Sequence, residues 1–429
     1  MALAILALIA IVPSVLSLQE VAPNLDTLFK WNFLEYNLPW DHVTMSKLKP
    51  ENTVPTGLEV GWNRLFVATP RLRLGVGATL STFPRNTPPG SSPVLQAYPD
   101  WSFHGAARDE FGNCTGLVSV YRIRLDSCNR LWVVDSGVTN SLDDFQRMCP
   151  PKILIFDTAT DTVIRSVVFP REVLRPSSLL TNIILDETTS DPANHCDDLF
   201  AYISDTAAPG LIVYDAGRDL SWRVIHPSMY PDPNHASVEI QGESFSLMDG
   251  VVGLAFAPKS GTLYFQPLAS DRLFAVPTAV LRSGPVPLGG ELQVRLVGRK
   301  SSQGLGIAVD YDDDTVYFST TTETSLALWN PHSNHQRLLA IDNSRLQFTA
   351  DVRLPERDPG FLWALTTRFQ KFFLRNVSAH ETNLRIVRMP IKAIQSGPPI
   401  PQWSYLNTLD HYREKYLDKR DTNSTSRYL

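Results

Sequence analysis

Apolar and polar residues alternate through most of the chain in short runs that come in pairs. The pairs read GLEVGWNRLFVATP from 57, YRIRLDSCNRLWVVDS from 121, NIILDETTSDPANHCDDLFAYISD from 182, VGLAFAPKSGTLYFQP from 252, LGIAVDYDDDTVYFST from 305 and ADVRLPERDPGFLWALTT from 350. Each is an alternating run, a polar turn, and a second run built around an aliphatic-aromatic-apolar triplet, which is the period-two pattern of a β-hairpin. Aligned on the aromatic, the units fall at Phe66, Trp132, Phe200, Tyr264, Tyr317 and Trp363, spaced by 66, 68, 64, 53 and 46 residues. A strand-turn-strand unit recurring at this length marks a propeller rather than a helical solenoid.

Two more strand-like runs separate the hairpins, most clearly KILIFDTATDTVIRSVVF from 152, GLIVYDAGRDLSWRVIH from 210 and SLALWNPHSNHQRLLAI from 325. The pattern therefore predicts an all-β, six-bladed β-propeller with four-stranded blades over residues 27–400. A β-sandwich also contains alternating hairpins, but it does not require one phrase to recur from Phe66 to Trp363. The six aromatics are expected in the core, packing blade on blade. The unpaired run TLFKWNFLEY, 27–36, is expected to cross to the last blade and close the ring, which removes free sheet edges.

The amino-terminal run MALAILALIAIVPSVLS, residues 1–17, is apolar but short and broken by Pro13. It reads as a cleaved signal peptide, with Val15 and Ser17 preceding the cut, rather than as a membrane span. No later run is apolar for long enough to span, so no membrane span is expected in the mature chain. Secretion makes the four cysteines readable as two disulfides. In a blade, the turn between the first two strands lies on one face of the disc. The loops before the first strand and after the second lie on the other. Cys128 and Cys196 share the first face, Cys114 and Cys149 the second, and any other pairing would cross the disc, beyond the roughly 7 Å reach between Cα atoms. Cys114–Cys149 and Cys128–Cys196 are therefore the expected bonds. Asn113, Asn376 and Asn423 head glycosylation sequons.

Composition alters this picture little. The chain is 43% hydrophobic and 19% charged, as globular proteins are. Its net charge of −5 offers no basic excess for a nucleic-acid partner. The polar residues 401–429, ending in HYREKYLDKRDTNSTSRYL, read as a disordered tail.

The phrases LVSVYRIRLDSCNRLWVVDSG, CPPKILIFD, DGVVGLAFAP, LYFQPLAS and LWALTTRFQKF resemble, in collinear order from about residue 28 to 400, the Yellow / major royal jelly protein family. The resemblance implies a secreted six-bladed propeller. It also implies a set of roles: cuticle or eggshell pigmentation and hardening, dopachrome conversion, binding of biogenic amines, and storage or nutrition. Leu72 and Gly77 in PRLRLGVGATL, and Thr366 with Thr367, depart from the family's usual residues near the expected ligand face.

Propeller ligands enter the central channel where the first strands begin. The candidates there are Asn182, Asp249, Ser319, Thr320, Asn343, Phe348 and Thr349. A pocket for a small aromatic amine or catechol-derived ligand needs an acceptor for the ammonium and an apolar or aromatic wall, for which Asp249 and Phe348 are the fitting types. Dopachrome conversion is a proton rearrangement without a redox cofactor, and it needs a base, for which Asp249 or a histidine is a candidate. No cofactor is expected. A calcium-dependent lactonase-type hydrolase would draw its ligands from Glu59, Asn182 and Asp249. His104, His195, His226, His235, His332 and His335 form no metal motif, and DYDDDT at 310 lacks the spacing of an EF-hand. A non-enzymatic structural or nutritive protein, its channel filled by side chains, is the alternative in a different class.

Overall fold

The computed structural model describes residues 22, 24–38, 46–108, 114–190 and 196–391. The expected signal peptide, His195, the sequons at Asn113 and Asn423, and the 401–429 tail lie outside them. Six four-stranded antiparallel sheets make up the body. Their innermost strands are Gly57–Val60, Val120–Leu125, Leu180–Asp186, Val251–Ala257, Ile307–Val309 and Phe348–Arg353. Each touches the next, and the last touches the first, so the six sheets form a closed ring of blades around a channel.

Closure is made by the amino-terminal run. Asp26–Trp31 pairs antiparallel with Leu384–Pro390 and becomes the outer strand of the sixth blade, with Trp31 opposite Leu384. The first and last described strands thus share one sheet, and Trp31 is buried with its indole Nε1 donating to the Pro93 carbonyl at 2.8 Å. The Pro-rich stretch after residue 85 holds the short fourth strand of the first blade, Gln96–Ala97.

The aromatics of the repeat lie in second strands, where Phe66, Trp132, Tyr264, Tyr317 and Trp363 are buried between blades. One assignment changes. In the third blade the buried equivalent is Tyr202, whose hydroxyl donates to Asp186 at 2.6 Å, while Phe200 is half-buried and sits edge-on to Trp222. Both residues fit an aliphatic-aromatic pattern, and only the strand register, which pairs Tyr202 with Val213 in the third strand, separates them.

Both disulfides form as the topology requires. Cys114–Cys149 has a Cα separation of 5.6 Å, and Cys128–Cys196, which joins the turns of consecutive blades, 6.4 Å. Among the described residues no helix is long and apolar enough to cross a membrane.

Candidate functional site

Three insertions rise from the face where the inner strands begin, the upper face. They are the hairpin of Val138–Thr139 with Gln146–Arg147, the hairpin of Ser237–Ile240 with Glu243–Ser246, and the short helix Phe369–Phe373. They lock together. Phe245 packs on Phe373 and Phe369 with centroids 5.0 and 5.7 Å apart, and Asn376 Nδ2 donates to Glu243 Oε1 at 3.2 Å. Asp143 of the first hairpin holds Arg375 at 2.6 Å and Arg73 at 3.4 Å. Val238, Ile240 and Phe245 are buried in the same apolar cluster as Leu179, Val252, Leu268, Leu305 and Phe348 from the blade rims. The insertions therefore roof the channel.

Asp249 follows the second hairpin, two residues ahead of the strand that begins at Val251. It is half-buried. Among the described residues its carboxylate has neither a hydrogen-bond nor an ion-pair partner, and its backbone carbonyl accepts from the Ala269 amide at 3.1 Å. Desolvation pushes the carboxyl up to about 6 from its ordinary 3.8. Tyr121, on the inner strand of the second blade, lies within its field. Burial raises the Tyr121 hydroxyl, the bond to Ser141 Oγ at 2.9 Å lowers it, and Asp249 raises it further, so it stays protonated. Sequence reasoning missed Tyr121 and Ser141, because one lies inside an apolar alternation and the other in a loop whose path only the fold reveals.

The other candidates are spread out. Phe348 stacks on Phe369 at 4.7 Å and belongs to the same cluster as Tyr121. Thr349 is buried with its hydroxyl unpartnered, against Gly306 and close to Ser319, whose Oγ accepts from the Gly306 amide at 3.1 Å. Gly306 has no room for a Cβ, which would meet Val352 Cγ2 at 2.4 Å. Thr320 exchanges a hydrogen bond with Ser325 at 2.6 Å, and Asn343 Oδ1 accepts from Thr324 at 2.7 Å, so both serve the fifth blade and its exit. Thr366 and Thr367 pair with Thr349 and Phe348 across the sixth blade, and their hydroxyls are buried without partners.

Asn182 lies deeper, in a charged belt. Its Oδ1 accepts from Arg124 at 3.2 Å and its Nδ2 donates to the Val252 carbonyl at 2.8 Å. Glu59, the other acidic candidate for a metal, is paired with Arg353 at 2.5 Å. Among the described residues no group of three or more His, Cys, Asp or Glu side chains is arranged to hold a metal ion. His104 is buried between the Thr79 amide and the Tyr98 carbonyl, and desolvation lowers it to about 3. His235 faces Asp232 and Asp271.

The structure is thus a six-bladed propeller whose upper mouth is roofed by three insertions, with the half-buried Asp249 carboxyl beside them. The major royal jelly protein family model matches residues 118–400, and the chain belongs to that family. The chain is 30% identical to the dopaminechrome tautomerase of Drosophila melanogaster, over 90% of this chain and 86% of the relative. It is 32% identical to protein yellow of Drosophila subobscura, over 91% of this chain and 69% of the relative. A solved luciferin-regenerating enzyme is similar at 11% identity and a TM-score of 0.46, covering 85% of this chain and 94% of that one.

Proposed function

We propose that this protein is a secreted Yellow-type propeller that takes a catechol- or indole-derived small molecule under the roof, acting as a dopachrome-type tautomerase or as a binder of such amines in pigmentation or hardening of an extracellular layer. The observation that carries the reading is Asp249. A carboxylate kept for structure is hydrogen-bonded when it is removed from water. This one is half-buried, has no hydrogen-bond or ion-pair partner among the described residues, and has its pKa drawn toward neutrality, the condition of a general base or of an acceptor waiting for a cation.

The chemistry follows from the two side chains. In a tautomerisation of an indoline quinone, a carbon-bound hydrogen of the five-membered ring leaves as a proton. Its electron pair flows through the ring, and a quinone oxygen takes up a proton, with no net change of oxidation state. Asp249, ionised above about pH 6, accepts the first proton. Tyr121, held protonated, faces the oxygen as donor, with Ser141 behind it to relay. Phe348, Phe369 and Phe245 supply the aromatic wall. The relative named as a dopaminechrome tautomerase supports this choice of substrate class.

The roof gives the second reading its observation. The apolar cluster closes the upper mouth, which suits a structural or nutritive protein whose channel is only a core. The two readings part in a visible-absorbance assay of dopaminechrome decay run beside a calorimetric titration with dopamine. Decay or saturable binding that Asp249→Asn abolishes supports the small-molecule reading. Neither signal from folded, disulfide-bonded protein supports the structural one. Secretion carries its own test: mature protein starting near residue 18 and a glycan on Asn376, which is exposed on the roof.

A further inference from the structure

The opposite mouth of the channel, on the face of the first-to-second strand turns, carries a second constellation. Alternate residues of the inner strands point into the axis and build the charged belt: Glu59, Arg122, Arg124, Asp351 and Arg353, with Asn182. Arg122 takes Asp351 at 2.9 Å and Arg353 takes Glu59 at 2.5 Å. That leaves Arg124 with Asp351 at 4.0 Å and neutral acceptors, the Ile123 carbonyl at 2.7 Å and Asn182. Three guanidiniums therefore meet two carboxylates in a place nearly closed to water, where Arg124 is only 3% exposed. Burial, and then the nearby Arg353, pull Arg124 down to about 9.

Nearer the surface, Arg357 is 8% exposed and forms no ion pair among the described residues. Its hydrogen bond goes to the Asp126 carbonyl at 2.7 Å. The Nε groups of Arg124, Arg353 and Arg357 are all buried without a hydrogen-bond partner. A guanidinium has five donors in a fixed fork, and donors left unmade in a dry site cost free energy unless a ligand takes them. Two aromatic rings stand at the same opening, both unusually exposed. Trp62 is 61% exposed with the Arg357 guanidinium 6.0 Å from its ring, and Tyr311 is 43% exposed within the fields of Arg353 and Arg124. The acidic groups at the rim are Glu356, which is exposed, Glu187, which accepts the Ser127 amide at 3.0 Å, and Asp310, Asp312 and Asp313 in the turn that carries Tyr311, where Asp310 accepts the Asp312 amide at 2.9 Å and Lys259 lies close by.

We propose that this lower mouth is a binding site for a small aromatic carboxylate, its oxyanion held by Arg124, Arg353 and Arg357 and its ring against Trp62 and Tyr311. Arginine matches a carboxylate fork to fork, and the surplus guanidinium makes the belt short of one anion. The two aromatic rings select a planar ligand over an inorganic oxyanion. The site is separate from Asp249, which lies on the upper face.

The test is a titration of the disulfide-bonded protein with sodium benzoate, sodium sulfate and benzyl alcohol at constant ionic strength, followed by calorimetry and tryptophan fluorescence. Benzoate should bind saturably and change the fluorescence, and benzyl alcohol should not bind. Arg357→Gln should weaken benzoate at least about tenfold, one charge-assisted hydrogen-bonded contact. Trp62→Ala, at an exposed position that cannot unfold the blade, should weaken benzoate and leave sulfate unchanged. Asp249→Asn should leave benzoate affinity intact. No saturable benzoate binding overturns the proposal, as does equal loss of benzoate in Asp249→Asn. Sulfate binding as tightly as benzoate, with Trp62→Ala silent, overturns the ring contacts.

Discussion

Replacing Asp249 with asparagine should make the protein more stable at neutral pH while removing its function. The carboxyl is raised from 3.8 to about 6 because ionising it means charging a partly desolvated group that has no partner among the described residues. Between about pH 4 and 6 the folded chain keeps a proton that the unfolded chain has released, so stability falls as pH rises through that window. The contribution is fully present below the unfolded value and is gone above the folded one. A shift of about two pH units corresponds to a ceiling of about 3 kcal/mol. Asp249 is only half-buried, and water reaching it reduces this to an expected 1–2 kcal/mol, to order of magnitude. An asparagine side chain in its place would not titrate. Urea unfolding of the two proteins, with disulfides intact, should give similar midpoints near pH 4 and a gap that opens in favour of the variant by pH 7. Parallel curves from pH 4 to 7, or an asparagine variant less stable at pH 7, would refute the claim that this carboxylate is bare and desolvated.

Other parts of the fold make separate predictions. Cys128→Ser with Cys196→Ser opens a bridge spanning 68 residues and should cost up to about 4 kcal/mol in a chain-entropy account, slightly more than loss of Cys114–Cys149 across 35; paired denaturation curves read the order. Asp351→Ala strands Arg122 and Arg124 in the belt and should cost about 3–5 kcal/mol, with Asp351→Asn recovering part of it in the same assay. Trp31→Ala empties a buried site in the closing strand and should cost about 3–5 kcal/mol, with hydrogen exchange rising first in Leu384–Pro390.

The architecture is readable in the sequence because a propeller repeats itself: a hairpin with period-two alternation and one large aromatic, met six times, leaves few other ways to bury the same face. The closing strand and both disulfides follow from topology alone, since a loop's place between strands decides which face it joins. The triplet pattern points to Phe200 rather than Tyr202 because it does not carry register, and register is fixed by pairing with Val213 in the next strand. The site is less legible. Asp249 stands out because an acidic residue just ahead of an inner strand must lie at a channel mouth. The Tyr121 hydroxyl that lies in its field comes from a blade two steps away, and its roof from three insertions that look like ordinary polar loops. Thr320 and Asn343 are of the right type and on the right face, yet local hydrogen bonds to Ser325 and Thr324 occupy them. Arg122, Arg124, Arg353 and Arg357 give no signal in the sequence, because each is a lone cation in an alternating strand or a turn until the ring brings them to one axis.

Whether the upper mouth handles a catechol-derived quinone through Asp249 is the central question. The decisive measurement is the rate of dopaminechrome decay at pH 7 with the disulfide-bonded protein, compared with its Asp249→Asn variant at equal concentration. The expected result is faster decay with the parent protein, and loss of about 100-fold or more of that acceleration in the variant, the usual contribution of a positioned base. Decay no faster than in buffer, or equal acceleration by a well-folded Asp249→Asn protein, would contradict it.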